Sequence, residues 1–369
     1  MTALFGGIRN ASTCEGTDVG GDRIYGRFAG VSPAKWREQH RVRREILHED
    51  RASSHMVALQ NEILSRPKVR KILAAQHDDG WIGNELHGVY VQGLDSSVSY
   101  LLGSGVERDS PPMKRVAQAL LADETQGKPY RTTFRGGDAL DRGGRGGNKA
   151  VRAGVLADLG EEDNALVQDE LKTVITYLRD SLSYNTVDDF SVTNKRGIRY
   201  YKENAHFPGA NHIDLLSATQ SWRTTENMEL VKTSLPYCMK IMRGQSVSPT
   251  FKSGSHFVAP FNFNWHLGDF RIEDVNPDSY ALVWWLRSLY GLSTLGGIMD
   301  IPEFRKTYDY LYQLVVSKDI LTKQNDQSLK RFREVLSIED SWRSEKSVIC
   351  DVFFHGMITL HRAGYDMSR

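Results

Sequence analysis

The feature that most constrains the fold of this chain is a long-period repeat of paired helical segments. Each unit combines an apolar segment with small residues, a short turn and an amphipathic segment, and the units recur about every 60 residues. Such a period is typical of helical hairpins that bury their apolar faces against neighbouring hairpins. The first segments are predicted at 89–102, 149–159, 212–220, 278–292 and 348–362, and the second segments at 112–122, 165–182, 228–242 and 302–316.

The two kinds of segment predict two layers of helices. The first segments are apolar on nearly all sides and are expected to be buried, whereas the amphipathic second segments keep one exposed face. This pattern predicts an all-α fold, an α/α toroid or barrel with inner and outer helices that converge on one axis. An irregular solenoid or bundle fits the same period. We expect residues 31–369 to form this single domain, preceded by a loosely ordered, glycine-rich arm at 1–30.

Composition supports a globular chain and excludes several functions. The 369 residues are 40% hydrophobic and 25% charged, which is enough for a sizeable core. The formal net charge of +1 provides no field that would recruit nucleic acid. The sequence has no predicted export signal and no apolar stretch of about 18 residues, so we expect no membrane span. The widely spaced Cys14, Cys238 and Cys350 predict neither disulfides nor a zinc cluster and favour a cytoplasmic location.

One short segment points to a known superfamily. At the end of a predicted helix, Gln76 is followed by Asp79, Gly80 and Trp81. This segment resembles the glutamine–tryptophan repeat of the terpenoid cyclase and protein prenyltransferase superfamily, with one residue fewer between glutamine and tryptophan. The resemblance implies a toroid of helical hairpins from about residue 67 to the C-terminus, and isoprenoid chemistry.

The catalytic motifs of that superfamily are not matched. The segment 186–189 lacks the first aspartate of the cyclase acid motif, and residues 78–79 are not followed by the third aspartate of the metal motif. Cys350, Asp351 and His355 supply the elements of a prenyltransferase zinc site in a different order. The resemblance therefore implies a fold more than a reaction.

Polar residues recur just before the first helices, and closure of a toroid would bring these positions to one mouth. Glu85 and His87 are expected to form an acid/base pair in which the carboxylate orients the imidazole. A long connection places Trp265, His266 and Asp269 together. The predicted catalytic residues, expected to meet at this mouth, are Glu85, His87, His212, His266 and Asp269. Helix capping is the alternative role for each of them.

The glycine-rich segment 135–149 leads directly into a helix and carries Arg142, Arg145 and Asn148. Backbone amides beside arginines suit a phosphate or diphosphate group, and a flexible surface loop is the alternative. Aromatic faces suit an isoprenoid chain, a carbocation or a sugar ring, although at helical spacing they are also ordinary core residues. The predicted substrate-binding residues are Arg142, Arg145, Asn148, Trp81, Trp265, Trp284, His206 and Asp214.

The histidine spacings do not form a ready metal site. His206 and His212 are six residues apart and His256 and His266 are ten apart, unlike the pairs that bind zinc from one helix face. No cofactor is predicted, and a divalent metal is the alternative.

The sequence thus predicts an enzyme with an aromatic-lined central cavity and acid/base chemistry of the cyclase, isomerase or lyase type. Its partner would be a small molecule, either isoprenoid or otherwise hydrophobic, or phosphorylated. A carbohydrate-active (α/α) barrel enzyme, whether lyase, epimerase or hydrolase, is the first alternative. A non-catalytic module that binds a small molecule or a peptide is the second.

Overall fold

The computed structural model describes residues 36–88, 92–122, 130–134, 136–244, 249–258, 263–276, 280–317, 326–336 and 345–366. Within these ranges the chain forms 15 α-helices and two short β-hairpins. The protein is therefore mostly helical, as the repeat predicts. The predicted arm at 1–30 lies outside the described residues.

The helices are numbered in chain order. They are α1 (Trp36–Glu45), α2 (Ser54–Ser65), α3 (Pro67–Leu73), α4 (Leu94–Gly103), α5 (Pro111–Leu121), α6 (Gly137–Arg142), α7 (Asn148–Asp158), α8 (Ala165–Ser181), α9 (Val187–Phe190), α10 (Ala210–Ala218), α11 (Thr225–Met242), α12 (Ala281–Leu292), α13 (Pro302–Ser317), α14 (Asp326–Val335) and α15 (Glu345–Arg362).

The predicted second segments correspond to α5, α8, α11 and α13, whose bounds lie within three residues of the prediction. Local capping explains this accuracy. The Asn164 side chain accepts a hydrogen bond from Leu166 N–H at the start of α8, and Thr224 accepts one from Asn227 N–H at the start of α11. Proline at the first helical position begins α5 and α13.

The starts of the first segments are predicted less well. The helix expected from 89 begins at Leu94, because Gly93 is extended and forms a β-type bridge with Glu85, which also forms one with Thr132. The starts expected at 212, 278 and 348 are observed at 210, 281 and 345. The predicted starting residues Val89 and Asp278 lie outside the described residues.

Two hairpins that the repeat does not predict occupy the connections around α10 and α11. Strands β1 (Ser191–Thr193) and β2 (Arg199–Tyr201) pair antiparallel, as do β3 (Phe251–Ser253) and β4 (His256–Val258). Thr250 joins the two hairpins, since its carbonyl accepts from Tyr201 N–H at 2.9 Å. The short helix α6 is also new, and it lies inside the predicted glycine-rich loop.

The first helices contact one another in chain order, α4 with α7, α7 with α10, α10 with α12 and α12 with α15. The second helices pack against them: α5 and α8 contact α7, α8 also contacts α10 and α11, and α13 contacts α15. One continuous apolar core runs through these helices from Ile63 to Leu360. A smaller core of Val42, Ile46, Phe354 and Ile358 joins α1 to α15.

None of the helices in the described part of the chain is long and apolar enough to cross a lipid bilayer.

Candidate functional site

The glycine-rich segment folds back into the protein instead of extending from it. Gly144 and Gly146 have positive φ angles of 62° and 70°, which favour glycine because a Cβ would be strained there. This path buries Arg145, whose side chain is 5% exposed and lies over the Tyr201 ring at 4.0 Å. The Nε and Nη1 atoms of Arg145 are buried and have no acceptor among the described residues.

His212 lies buried beside Arg145. Its Nδ1 accepts a hydrogen bond from Gly209 N–H at 3.0 Å, so the neutral ring carries its hydrogen on Nε2. That Nε2 is buried without a partner in the described structure. Burial, followed by the positive charge of Arg145, lowers the pKa of His212 to about 4. The imidazole is therefore neutral near pH 7 and presents a donor.

Tyr177 of α8 brings the two predicted histidines of this region together. Its ring stacks on His206 at 4.5 Å and meets the edge of His212 at 5.3 Å. His206 in turn contacts Asp180 Oδ2 through Nδ1 at 2.7 Å. Tyr177 and Asp180 were not among the predicted residues. Their spacing on one helix is unremarkable, and the sequence carries no signal that points to them.

The other two predicted residues of the glycine-rich segment lie elsewhere. Arg142 is exposed at the end of α6. Asn148 is buried and donates through Nδ2 to Asp138 Oδ1 at 2.7 Å, with its carboxamide against Gly137. Of the three predicted anion ligands, only Arg145 therefore lies beside the histidines.

His87 contacts a different carboxylate from the predicted one. Its Nδ1 lies 2.5 Å from Asp95 Oδ2, and its ring meets the edge of Phe134 at 5.2 Å. Glu85 instead directs its carboxylate at Gly88, where Oε1 would lie 2.3 Å from an added Cβ. The positioning role predicted for Glu85 thus falls to Asp95 at the start of α4, because the turn at 86–88 brings the helix end to the ring.

The long connection before α12 separates its three predicted residues. Trp265 is buried in an aromatic cluster with Phe207 and Phe263, at ring distances of 5.6 and 4.8 Å. His266 is half-buried and Asp269 is exposed on a short 3₁₀ turn. The histidines predicted to meet at one mouth, His87, His212 and His266, thus each have their own surroundings.

The two remaining predicted tryptophans differ in exposure. Trp81 is 3% exposed and packs under the guanidinium of Arg131, so it anchors the core. Trp284 on α12 is 46% exposed and lies beside Arg287 at 5.6 Å. Only Trp284 offers an open aromatic face.

Arg287 interacts with two carboxyl groups, those of Asp214 and Asp158, which the sequence did not predict to lie near each other. Its Nη2 lies 3.4 Å from Oδ2 of Asp214, and the two side chains are 49% and 41% exposed. Asp158, the last residue of α7, is also exposed. Burial among protein atoms, followed by the charge of Asp214, raises the pKa of Asp158 to about 7, against opposition from Arg362 and Arg287.

Asp158 is therefore exposed to water, while the protein atoms around it disfavour its negative charge. Gly154, one turn before Asp158 on α7, borders open space, since a Cβ added there would meet no described atom within 4 Å. We call Gly154, Asp158, Asp214, Trp284 and Arg287 the Asp158 cluster. Sequence reasoning named Asp214 and Trp284 but missed Asp158. The available signal was an acidic residue at a helix C-terminus, where the helix dipole disfavours negative charge.

A separate groove of about 330 Å³ lies between α8 and α11, lined among others by Leu171, Lys172, Ile175 and Trp222. None of the predicted site residues lines it. Within the described ranges, no group of three or more His, Cys, Asp or Glu side chains is arranged to hold a metal ion.

Comparisons with protein-family models, with curated proteins and with solved structures found no match to this chain.

Proposed function

We propose that α4, α7, α10, α12 and α15 are the inner layer of a closed α/α toroid and that α1 completes the ring. The supporting observation is that α1 contacts both ends of the series. Glu45 of α1 pairs with Arg362 of α15 at 2.6 Å, and Arg41 Nη1 donates to the Gly103 carbonyl of α4 at 3.2 Å. An open solenoid would hold its first and last helices apart.

We further propose that the protein is an enzyme with acid/base chemistry at the Asp158 cluster. The proposal is supported by the position of Asp158, an exposed carboxyl group that interacts electrostatically with Asp214 and Arg287 and whose pKa is raised by burial among protein atoms and by Asp214. Catalytic acids and bases work best when their pKa lies near the operating pH. Burial raises the pKa of Asp214 as well, but its ion pair with Arg287 opposes that rise, and we assign Asp214 as the carboxylate of the pair.

The two carboxyl groups then take complementary roles. Asp158 would hold a proton and donate it to a departing oxygen of the substrate, while the carboxylate of Asp214 would accept a proton from water or from a carbon acid. The proton taken up at Asp214 would return to Asp158 through solvent, which reaches both side chains. A pair of this kind is the working unit of hydrolysis and of elimination reactions.

The chemistry of the lining favours a polar substrate. Two carboxyl groups and a guanidinium offer hydrogen bonds to hydroxyl groups, and the open indole of Trp284 offers a flat apolar face. A sugar ring presents both hydroxyl groups for such hydrogen bonds and an apolar face that can stack on an indole. The carbohydrate-active alternative therefore has more support than the isoprenoid one, whose hydrocarbon offers no hydrogen bonds to these polar groups.

The test is turnover of a panel of nitrophenyl glycosides and uronate-containing oligosaccharides by the native protein, Asp158→Asn and Asp169→Asn. Asp169 is a matched control, since its side chain is 70% exposed on α8. We expect Asp158→Asn to lower kcat roughly 10²- to 10⁴-fold and to remove the limb of the pH profile near 7. Equal turnover in Asp158→Asn would refute the role of Asp158. Binding without turnover in the native protein would favour the non-catalytic module.

A second test blocks the space beside Asp158 and measures binding of the same sugars. Gly154→Trp should fill the open space beside Asp158 and abolish binding of the sugar panel, while Gly154→Ala leaves most of that space. Both changes improve helix propensity by up to about 1 kcal/mol, so neither should unfold α7. Retained binding in a folded Gly154→Trp protein would place the substrate elsewhere.

His87 and Asp95 are a second candidate, favoured by their 2.5 Å contact. A carboxylate that holds an imidazole in one tautomer prepares it for proton transfer. Asp95→Asn belongs in the same assay: a loss of turnover there, with Asp158→Asn still active, would move the catalytic centre to His87.

A further inference from the structure

The cluster around Arg145 lies apart from the residues proposed for catalysis, and its polar groups share one property. Arg145 Nε and Nη1 and His212 Nε2 are all buried hydrogen-bond donors without acceptors in the described structure. The electrostatic partners of Arg145 are Tyr201, Tyr177 and Tyr184, with no carboxylate among them. Since buried charges in proteins are normally paired, this arrangement lacks an acceptor.

The backbone and the Tyr177 side chain lie close around these donors, and no described side chain accepts a hydrogen bond from them. The positive-φ glycines bring the backbone of 143–147 directly over the cluster. The Tyr177 hydroxyl would lie 1.8 Å from a Cβ added at Gly144, and His212 Nε2 would lie 3.4 Å from one added at Gly146. A small group that carries its own negative charge and accepts hydrogen bonds from several directions would match these donors.

We propose that Arg145, His212 and Tyr177 form an enclosed binding site for a small oxyanion of the phosphate or sulfate type. Arg145 Nε–H and Nη1–H and His212 Nε2–H would donate to its oxygens, and the Tyr177 hydroxyl would close the site below Gly144. The site differs from an anion loop made by Arg142, Arg145 and Asn148, because Arg142 is exposed and Asn148 donates to Asp138.

Thermal unfolding with inorganic phosphate or sulfate, against chloride at equal ionic strength, tests the site. A ligand that binds only the folded state raises Tm with the logarithm of its concentration above Kd. We expect this rise in the native protein and in Arg142→Ala, the exposed neighbour in the same segment. In Arg145→Met only the general salting effect of these anions should remain. Equal rises in Arg142→Ala and Arg145→Met would overturn the proposal.

Direct binding covers the case in which Arg145→Met does not fold. Phosphorus NMR of inorganic phosphate should show line broadening with the native protein. If Arg145→Met folds, its binding should be about 10- to 150-fold weaker. If it does not fold, the milder change Tyr177→Phe takes its place and should bind phosphate measurably more weakly than the native protein. Phenyl phosphate separates a free oxyanion from a phosphate ester: an enclosed site should exclude the ring. Absence of broadening with the native protein, or equal affinity for phenyl phosphate, would overturn the enclosed site.

Discussion

Arg131 and Arg145 are both buried, at 7% and 5% exposure, yet only one has a carboxylate partner. Arg131 donates through Nε and Nη2 to Asp79 Oδ2 at 3.1 and 2.9 Å and through Nη1 to the Ala119 carbonyl at 3.1 Å. Arg145 has a tyrosine face beneath it and two nitrogens without acceptors. The comparison separates an arginine that holds the fold together from one that is held ready for a ligand.

The same contrast extends to the neighbours of each arginine. Although partial burial opposes ionisation, hydrogen bonds from Tyr130, Trp81 N–H and Arg131 lower the pKa of Asp79. Beside Arg145 the neighbouring group is neutral His212, whose charged form is disfavoured by burial and by the guanidinium. One region is thus stabilised by its charges, whereas the other is stable only while its histidine stays neutral.

The largest expected effect is on the paired arginine. Arg131→Met removes the bonds to Asp79 and Ala119 and leaves a partly buried carboxylate without its cation, so the free energy of unfolding should fall by about 3 kcal/mol or more. Chemical denaturation at pH 7 measures this difference. Arg142→Met, at an exposed position, should change it by less than about 0.5 kcal/mol. If Arg131→Met costs no more than Arg145→Met, the distinction between the two arginines fails.

The next effect concerns pH. His212 has a folded-state pKa of about 4 against a usual 6.5, so the unfolded chain binds a proton that the folded chain does not. Stability from this group is complete above pH 6.5 and is lost as the pH falls towards 4, by roughly 3 kcal/mol in all. Arg145→Met should reduce that loss, because it removes one cause of the depressed pKa. The free energy of unfolding at pH 7 and 4.5 for both proteins checks this, and identical losses would count against the coupling.

A smaller effect is expected when the unpaired arginine is replaced in phosphate-free buffer. Arg145→Met loses the cation–π contact with Tyr201 but also the cost of burying an unpaired cation, so stability should be unchanged or rise by about 1 kcal/mol. Denaturation midpoints with and without phosphate give the answer. A loss as large as that in Arg131→Met without phosphate would make Arg145 a structural residue.

The smallest expected effect is the difference in stability lost when the hydroxyl group of Tyr130 or of Tyr177 is removed. Tyr130 donates to Asp79 Oδ2 at 2.9 Å, and Tyr130→Phe should cost about 1 kcal/mol of unfolding free energy. Tyr177→Phe should cost less than about 0.5 kcal/mol without phosphate, since its hydroxyl lies by the proposed anion position. If Tyr130→Phe and Tyr177→Phe lower the free energy of unfolding equally in phosphate-free buffer, the two tyrosine hydroxyl groups do not differ in their structural role.

Much of the helical framework could be read from the chain itself. Proline at the start of α5 and α13, and the side-chain caps Asn164 and Thr224, act within a few residues, so the amphipathic helices were predictable to within three residues. The exception is α4, whose start depends on bridges from Glu85 to the remote Thr132. Helix ends that depend on neighbouring residues can be predicted from the local sequence, whereas an end that depends on pairing with a distant segment cannot.

The candidate sites were decided by tertiary structure. Residue types indicated that polar groups before the first helices could be functional, yet Asp158 lies at the opposite end of its helix. Its pKa is raised first by burial and then by the charge of Asp214 on another helix. The sequence identified Arg145 and His212 individually, but only the folded chain places Tyr177 between the histidines and leaves the guanidinium unpaired. Desolvation and charge coupling depend on what surrounds a group in space, and those neighbours come from segments far apart in the chain.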